Sequence, residues 1–559
     1  MQQEGAGGTG NQLAVFVGDD GFAIGDLLAS AHHVTAQAIG APQGGGAHEF
    51  RLHFDGGAST VLARHGRVDG EVHQSVEEYG VNARLHPLVR VAGQFGGSES
   101  TLGPAEVFPV HAVGGNSRAD RGNNGHSAVA QPTIHVLKSV THTANASPTT
   151  DGESRSRLRN SHIERTYMPT AVIVDAVRTP GGKRGGKLRN WHPVDLAAEA
   201  LKAIAERNNL DPALVDDVIM GCVSQVGAQA FNVGRSAVLA AGWPESVPAT
   251  TIDRQCGSSQ QALHFAAQGV MAGAYDIVIA AGVEVMSTVA MGSSIGKDSG
   301  FPFGATVFAR YEDKGGLKGQ GIGAEMIADQ WDISRTDLDA FSAESHRRAA
   351  QATAEGRFEN EIVPIRVKDD EGNFTDDIMT ADEGIREGSS VESLAKLKAA
   401  FKEDGKVTAG NSSQITDGAS AVLIMSEETA NKLGFKIRAK FHSFALAGVD
   451  PVTMLTGPIP ATKKILEKTG LSMNDIDLVE INEAFASVPL AWEKELNADM
   501  SKVNVNGGAI ALGHPLGASG TKLCATLLNE LERTDGRYGL LTMCEGGGLA
   551  NATIIERVK

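Results

Sequence analysis

Residues 200–218 read ALKAIAERNNLDPALVDDV, and residues 461–479 read ATKKILEKTGLSMNDIDLV. Ala200, Lys202, Ile204, Glu206, Leu210, Asp216 and Val218 recur as Ala461, Lys463, Ile465, Glu467, Leu471, Asp477 and Val479, all at one offset of 261 residues. Each copy shows helical spacing, a turn and then an apolar run, so one helix-loop-strand unit occurs twice. Farther along, Gly273-Ala274-Tyr275 leads into Ile277 to Ala280, and Gly536-Arg537-Tyr538 leads into Leu540 to Met543 at an offset of 263. Near-constant displacement of two units argues for duplicated halves. Outward from the first copy, Ala171 to Val177, Leu196 to Ala205 and Val215 to Gly221 alternate strand-like and helical patterns, which sets the class as α/β. The stretch 288–410 is charged, turn-rich and largely helical, including Arg335 to Gln351, and reads as an insertion carried by the first half.

A chain of 559 residues is too long for one small domain. Its net charge of −17 argues against nucleic acid as the main partner. Four cysteines cannot form a disulfide framework, which points to a reducing cytoplasm. No signal-like leader opens the sequence and no long uncharged apolar run occurs, so a soluble, unexported protein without membrane partners is expected. Composition breaks near residue 167: the part before it holds 12 of the 17 histidines, no cysteine, and Lys138 as its one lysine. Residues 1–167 are expected to be a weakly structured extension, even a spuriously translated leader, with a hairpin between Glu49 and Ala63. The polar stretches around 114–124 and 141–159 read as disorder. Its histidines are irregularly spaced, so no metal site is expected. Met168, followed at once by a strand pattern, would make a natural start.

Cys256 lies in TIDRQCGSS, immediately before a helical run from Gln260 to Met271. A helix N-terminus favours a thiolate over a thiol, which is how a nucleophile is placed; the alternative is a small buried hydrophobe. The second half supplies NGGAIALGHPLGASG, a glycine-dense loop with one histidine, His514, which can accept a thiol proton; the alternative is a satisfied structural histidine. TMCEGGG then sets Cys544 beside free backbone amides, and Asn482 and Glu483 close the run from Leu478 to Ile481. Cys222 and Cys524 lack such context and read as packing residues.

With these motifs on the page, the chain from Met168 to Lys559 resembles a thiolase over essentially its whole length. The matching segments are DRQCGSSQQA around Cys256, VEINEAFA around Asn482, NGGAIALGHPLGASG around His514 and MCEGGG around Cys544, with VTAGNSSQITDGASAV from Val407. DPVTMLTGPIPAT and the ending ANATIIERVK bring it nearest to the degradative 3-ketoacyl-CoA thiolases of actinobacteria, including those acting on steroid side chains. The resemblance implies a duplicated five-layered αβαβα core, with residues 168–434 as first half, 435–559 as second half and 288–410 as a loop domain over coenzyme A. It also implies a homodimer or homotetramer, no metal and no tightly bound cofactor, and coenzyme A and 3-ketoacyl-CoA as partners.

The resemblance assigns roles residue by residue. Cys256 would be the acyl-accepting nucleophile, His514 its base, and Cys544 the acid that protonates an acetyl-CoA enolate. One oxyanion hole would use His514 and a water on Asn482; the other would use the backbone N–H groups of Cys256 and Gly546. Ser413 is the candidate contact to pantetheine, although a turn residue would look the same. One departure stands out: Val285 occupies a position where the family carries serine, which puts local hydrogen bonding in doubt. Three competing readings remain: a decarboxylating ketoacyl synthase, which would lack Cys544; an acetyl-CoA C-acetyltransferase working toward acetoacetyl-CoA; and a non-catalytic acyl-CoA or sterol binder, which should have lost a catalytic residue.

Overall fold

The computed structural model describes residues 168–295 and 300–559, and before them the backbone of eight strands between Ala14 and His111. The chain divides into two units, Met1–Thr149 and Thr150–Lys559. In the first, the eight strands form one sheet, in which Glu49–Phe54 pairs antiparallel with Thr60–Val68. The segments 114–124 and 141–159, expected above to be disordered, lie outside the described residues, as do the histidine side chains.

The second unit is built on the repeat. Its sheet runs Ala249–Ile252, Asp217–Gly221, Ile277–Val285, Thr416–Ser426, Ala171–Arg178, and then Ala439–Gly448, Leu549–Arg557, Tyr538–Glu545, Leu478–Ile481. The first five strands come from one half and the last four from the other. They meet where Ile173 pairs with Ala439 and Val172 with Lys440. Val218 faces Ile279 in a parallel pair, and Val479 faces Leu540 in another, so both partners are displaced by the same 261 residues. The turn before each strand repeats too: Asp216 Oδ2 accepts from the amides of Asp276 and Ile277, and Asp477 Oδ2 accepts from those of Arg537 and Tyr538.

Alternation along the strands makes the layers. Val218 and Met220 join one apolar cluster with Leu196, Leu201 and Ile204 of the Pro193–Asn208 helix. Ile219 points the other way, into a cluster shared with Leu263, Leu527, Leu541 and Met543. Leu540 and Cys544 face a third cluster, with Ile465 and the fully buried Trp492. Helices Ser258–Met271 and Ser519–Thr534 are therefore a middle layer between the two halves of this sheet, and the order is α, β, α, β, α. Each fully buried leucine in these layers contributes about 1.5–3 kcal/mol by leaving water. The outer helices are set by their caps: His192 accepts from the Val194 amide ahead of Pro193, and Gly470 at φ 71° ends Pro458–Thr469.

Within the first half, residues 288–410 carry the helices Ala305–Arg310, Gln320–Gln330 and Arg335–Ala354 and a hairpin of Ile365–Lys368 with Phe374–Met379. Ser334 and Asp337 form a capping box at the start of the longest helix. Buried Arg178 of the first strand holds this segment, meeting Glu361 at 2.6 Å and Asp382 at 2.8 Å. The serine-to-valine departure has a simple outcome: Val285 packs in the core, while its amide donates to Gln229 Oε1 at 2.8 Å.

Candidate active site

The two middle-layer helices are equivalent in the repeat, and they touch end to end. A Cβ added to Gly520 would stand 2.0 Å from Gln260 N, and the Thr521 amide donates to Ser259 Oγ at 3.1 Å. Cys256 lies two residues before one helix, and His514 five residues before the other. This contact brings the first turns of the two helices together.

His514 is held on several sides. Its amide donates to Thr416 Oγ1 at 3.1 Å, and Gly513 before it stands at φ 79°, where a Cβ would come 2.3 Å from the same oxygen. Lys522 Nζ donates to Leu512 O at 2.7 Å and Gly513 O at 2.9 Å, which fixes the preceding turn. Ser519 Oγ lies 2.5 Å from His514 Nδ1 and donates its own proton to Pro515 O at 2.9 Å. Nδ1 must therefore carry the ring proton, leaving Nε2 as the acceptor nitrogen, to which Asn482 Nδ2 donates a long hydrogen bond. Burial, aided by the charge on Lys522, pushes the imidazole down to about 3, so it is neutral and basic at Nε2.

Asn482 Nδ2 sits 3.4 Å from that Nε2, and Asn482 Oδ1 is buried without a partner. Its amide donates to Thr542 O at 3.1 Å, two residues ahead of Cys544. The next residue, Glu483, anchors the turn by accepting from Ser345 Oγ, Asn504 Nδ2 and the Ile510 amide. Ser413 joins the same turn: it is half-buried, and its amide donates to Ala484 O at 2.9 Å.

Cys256 is 4% exposed, and Cys544 is fully buried. Burial, reinforced by Glu545, pushes the Cys256 thiol up to about 12, while the Gly546 amide, its own amide and the Gln320 side chain pull it the other way. The expectation of a resting thiolate is therefore corrected: desolvation outweighs the helix terminus, and Cys256 rests as a thiol. Burial raises Cys544 well above the ordinary thiol range, and ionisation of Cys256 or Glu545 would raise it further. The two sulfurs are thus electrostatic neighbours, and Gly546 beside one presents its amide to the other. Cys222 and Cys524 are buried in apolar clusters. Sequence reading passed over Gln320, at the start of a helix after Gly319, and gave no role to Ser519, although it lies inside the quoted loop.

Among the described residues, no group of three or more His, Cys, Asp or Glu is placed to hold a metal ion. No described helix is long and apolar enough to cross a membrane.

Two buried thiols, a neutral imidazole and a backbone amide at one of the sulfurs are thus carried by a duplicated α/β scaffold. The chain matches the thiolase N-terminal domain over residues 171–428 and the thiolase C-terminal domain over 435–557, and it belongs to the thiolase family. It is 52% identical over 395 residues to the steroid 3-ketoacyl-CoA thiolase FadA6 of Mycobacterium tuberculosis, covering 70% of this chain and 95% of that protein. It is 46% identical over 396 residues to the 3-ketoacyl-CoA thiolase of Aliivibrio fischeri, covering 70% of this chain and all of that one. The crystal structure of the Bacillus anthracis acetyl-CoA acetyltransferase superposes with a TM-score of 0.64 at 40% identity, over 70% of this chain and 100% of that chain.

Proposed function

We propose that this chain cleaves 3-ketoacyl-CoA thiolytically, yielding acetyl-CoA and a shortened acyl-CoA, in fatty-acid or steroid side-chain degradation. The observation that carries the reading is the thiol pair: Cys544 lies near enough to feel a charge on Cys256, and the Gly546 amide stands at the Cys256 sulfur. His514 Nε2 takes the Cys256 proton as the sulfur attacks the 3-keto carbon. The C2–C3 bond then breaks, its electron pair stays on C2 as an acetyl-CoA enolate, and Cys544 gives C2 a proton. In the second half, Cys544 recovers a proton from coenzyme A. The coenzyme sulfur attacks the acyl-Cys256 carbonyl, and Cys256 leaves and regains its proton from His514.

A thiol near 12 and an imidazole near 3 do not exchange a proton at rest. Proton transfer is therefore coupled to bond formation with the carbonyl, which keeps the nucleophile silent without substrate. The backbone amides of Cys256 and Gly546 serve one developing oxyanion, and His514 with a water on the unpartnered Asn482 Oδ1 serves the other, each donor worth about 3–4 kcal/mol. Ser413 contacts pantetheine. The working form is a cytoplasmic homodimer or homotetramer with coenzyme A as co-substrate and no tightly bound cofactor.

Steady-state thiolysis of acetoacetyl-, medium-chain, long-chain and steroid 3-ketoacyl-CoA tests the reading. Cleavage of the longer or steroid substrates supports it. A strict preference for acetoacetyl-CoA favours the second reading, an acetyl-CoA C-acetyltransferase, for which the likeness to the Bacillus anthracis enzyme speaks. Binding without turnover would indicate the non-catalytic acyl-CoA or sterol carrier.

A further inference from the structure

Glu545 stands between Cys544 and Gly546, and the reaction above gives it nothing to do. Its side chain is fully buried, and neither carboxyl oxygen has a hydrogen-bond partner. Oε1 lies 2.0 Å from the point where a Gly257 Cβ would stand, so the missing side chain after Cys256 makes its seat. Asn551 Oδ1 lies 2.9 Å from the same point and is also buried without a partner, its Nδ2 being given to Gln261 Oε1. Two orphaned acceptors both border the gap at Gly257, and they repel when the carboxyl is ionised. A single proton between them satisfies both.

We propose that Glu545 is a positioning residue held protonated in the working enzyme, its O–H given to Asn551 Oδ1, so that both sulfurs face a neutral group. Ionising it sets a negative charge beside Cys256 and Cys544 and suppresses thiolate formation. The groups facing it are Arg254 and Asp253 on the loop before the nucleophile, the Cys256 thiol, and Cys544 on its own strand. Burial is the largest influence and lifts the carboxyl to about 8; Arg254 and the Asn551 amide pull it down, and Asp253 lifts it slightly. The proposal rests on Cys256 and Cys544 being the reacting thiols.

The test is the pH profile of kcat/KM, with the iodoacetamide alkylation rate of Cys256 read by mass spectrometry, in the full-length enzyme and in Glu545→Gln, Glu545→Met and Glu545→Asp. Wild type and Glu545→Asp should lose activity above about pH 8. Glu545→Gln and Glu545→Met, always neutral, should keep the neutral-pH rate within about threefold and lack that alkaline fall. Met serves if the Gln variant does not fold. Superimposable profiles across the variants overturn the proposal, as does a collapse of both neutral variants at pH 7, which would mean that an ionised pair with Arg254 is needed. Failure of the underlying reading looks different: wild type shows no thiolysis, or Cys256→Ala retains it.

Discussion

His514 Nδ1 lies 2.5 Å from Ser519 Oγ, whose proton is already committed to Pro515 O. One serine hydroxyl, set by the first turn of a core helix, thus decides which imidazole nitrogen can act as a base. In Ser519→Ala the ring is free to adopt the other tautomer. We expect kcat to fall about 10- to 30-fold, roughly 1.4–2 kcal/mol of barrier, with KM little changed. Steady-state kinetics check this, and an unaltered kcat would show that the tautomer is fixed by other contacts.

The two thiols should separate by partial reaction. Cys256→Ala should form no acyl-enzyme detectable by mass spectrometry and should lose turnover by at least about 10⁴-fold. Cys544→Ala should still take an acyl group from acyl-CoA but fail to exchange the acetyl-CoA methyl protons with solvent deuterium. Proton exchange at the wild-type rate in Cys544→Ala would remove it from the acid role.

Gly257 is required by what sits against it. In Gly257→Ala the new methyl meets the Glu545 carboxyl at 2.0 Å, and the surrounding layer has little room to yield. A loss of about 1–3 kcal/mol in urea unfolding is expected. Shortening the neighbour, in Gly257→Ala with Glu545→Ala, should restore part of it. Additive losses in the double variant would contradict the contact.

Stability should also report the Glu545 proton. Its folded value, about 8, lies above the ordinary 4.5. Between those values the unfolded chain gives up a proton that the folded one keeps, so rising pH favours unfolding. The wild type should therefore lose ground to Glu545→Gln from about pH 5 to about pH 8, with the gap levelling off above. Urea midpoints at pH 5, 6.5 and 8 measure the trend; a gap independent of pH would mean that the carboxyl is not protonated in the folded state.

A chain started at Met168 should fold and keep its kcat, since the family match begins at 171. Circular dichroism and thiolysis of the shortened chain decide it, and a loss of either would give residues 1–167 a structural role.

The first unit of the repeat was legible because helix and strand periodicities survive in both copies at an offset of 261; the second, matched at 263 through Gly273 and Gly536, is two residues out, because the strand partners Ile279 and Leu540 are also 261 apart. Cys256, Asn482, His514 and Cys544 stood out because each sits in a glycine-rich or polar break after an apolar run. The ionisation state of Cys256 was misread. A helix terminus is visible in sequence, whereas burial among Gly546, Gln320 and Glu545 depends on contacts made from two distant segments. Glu545 itself looked like part of a loop motif. Its meaning emerges only with Gly257 and Asn551 beside it, a juxtaposition no spacing rule encodes.

The end-to-end meeting of Gly520 with Gln260 has an evolutionary reading. Two identical half-length chains, paired about a twofold axis, would have to furnish every reactive group in duplicate, and each position would serve two masters. Fusing them into one polypeptide removed that obligation. Under the roles proposed above, one copy specialises in attack and the other in proton traffic, an asymmetric reaction on an architecture that is still nearly symmetric.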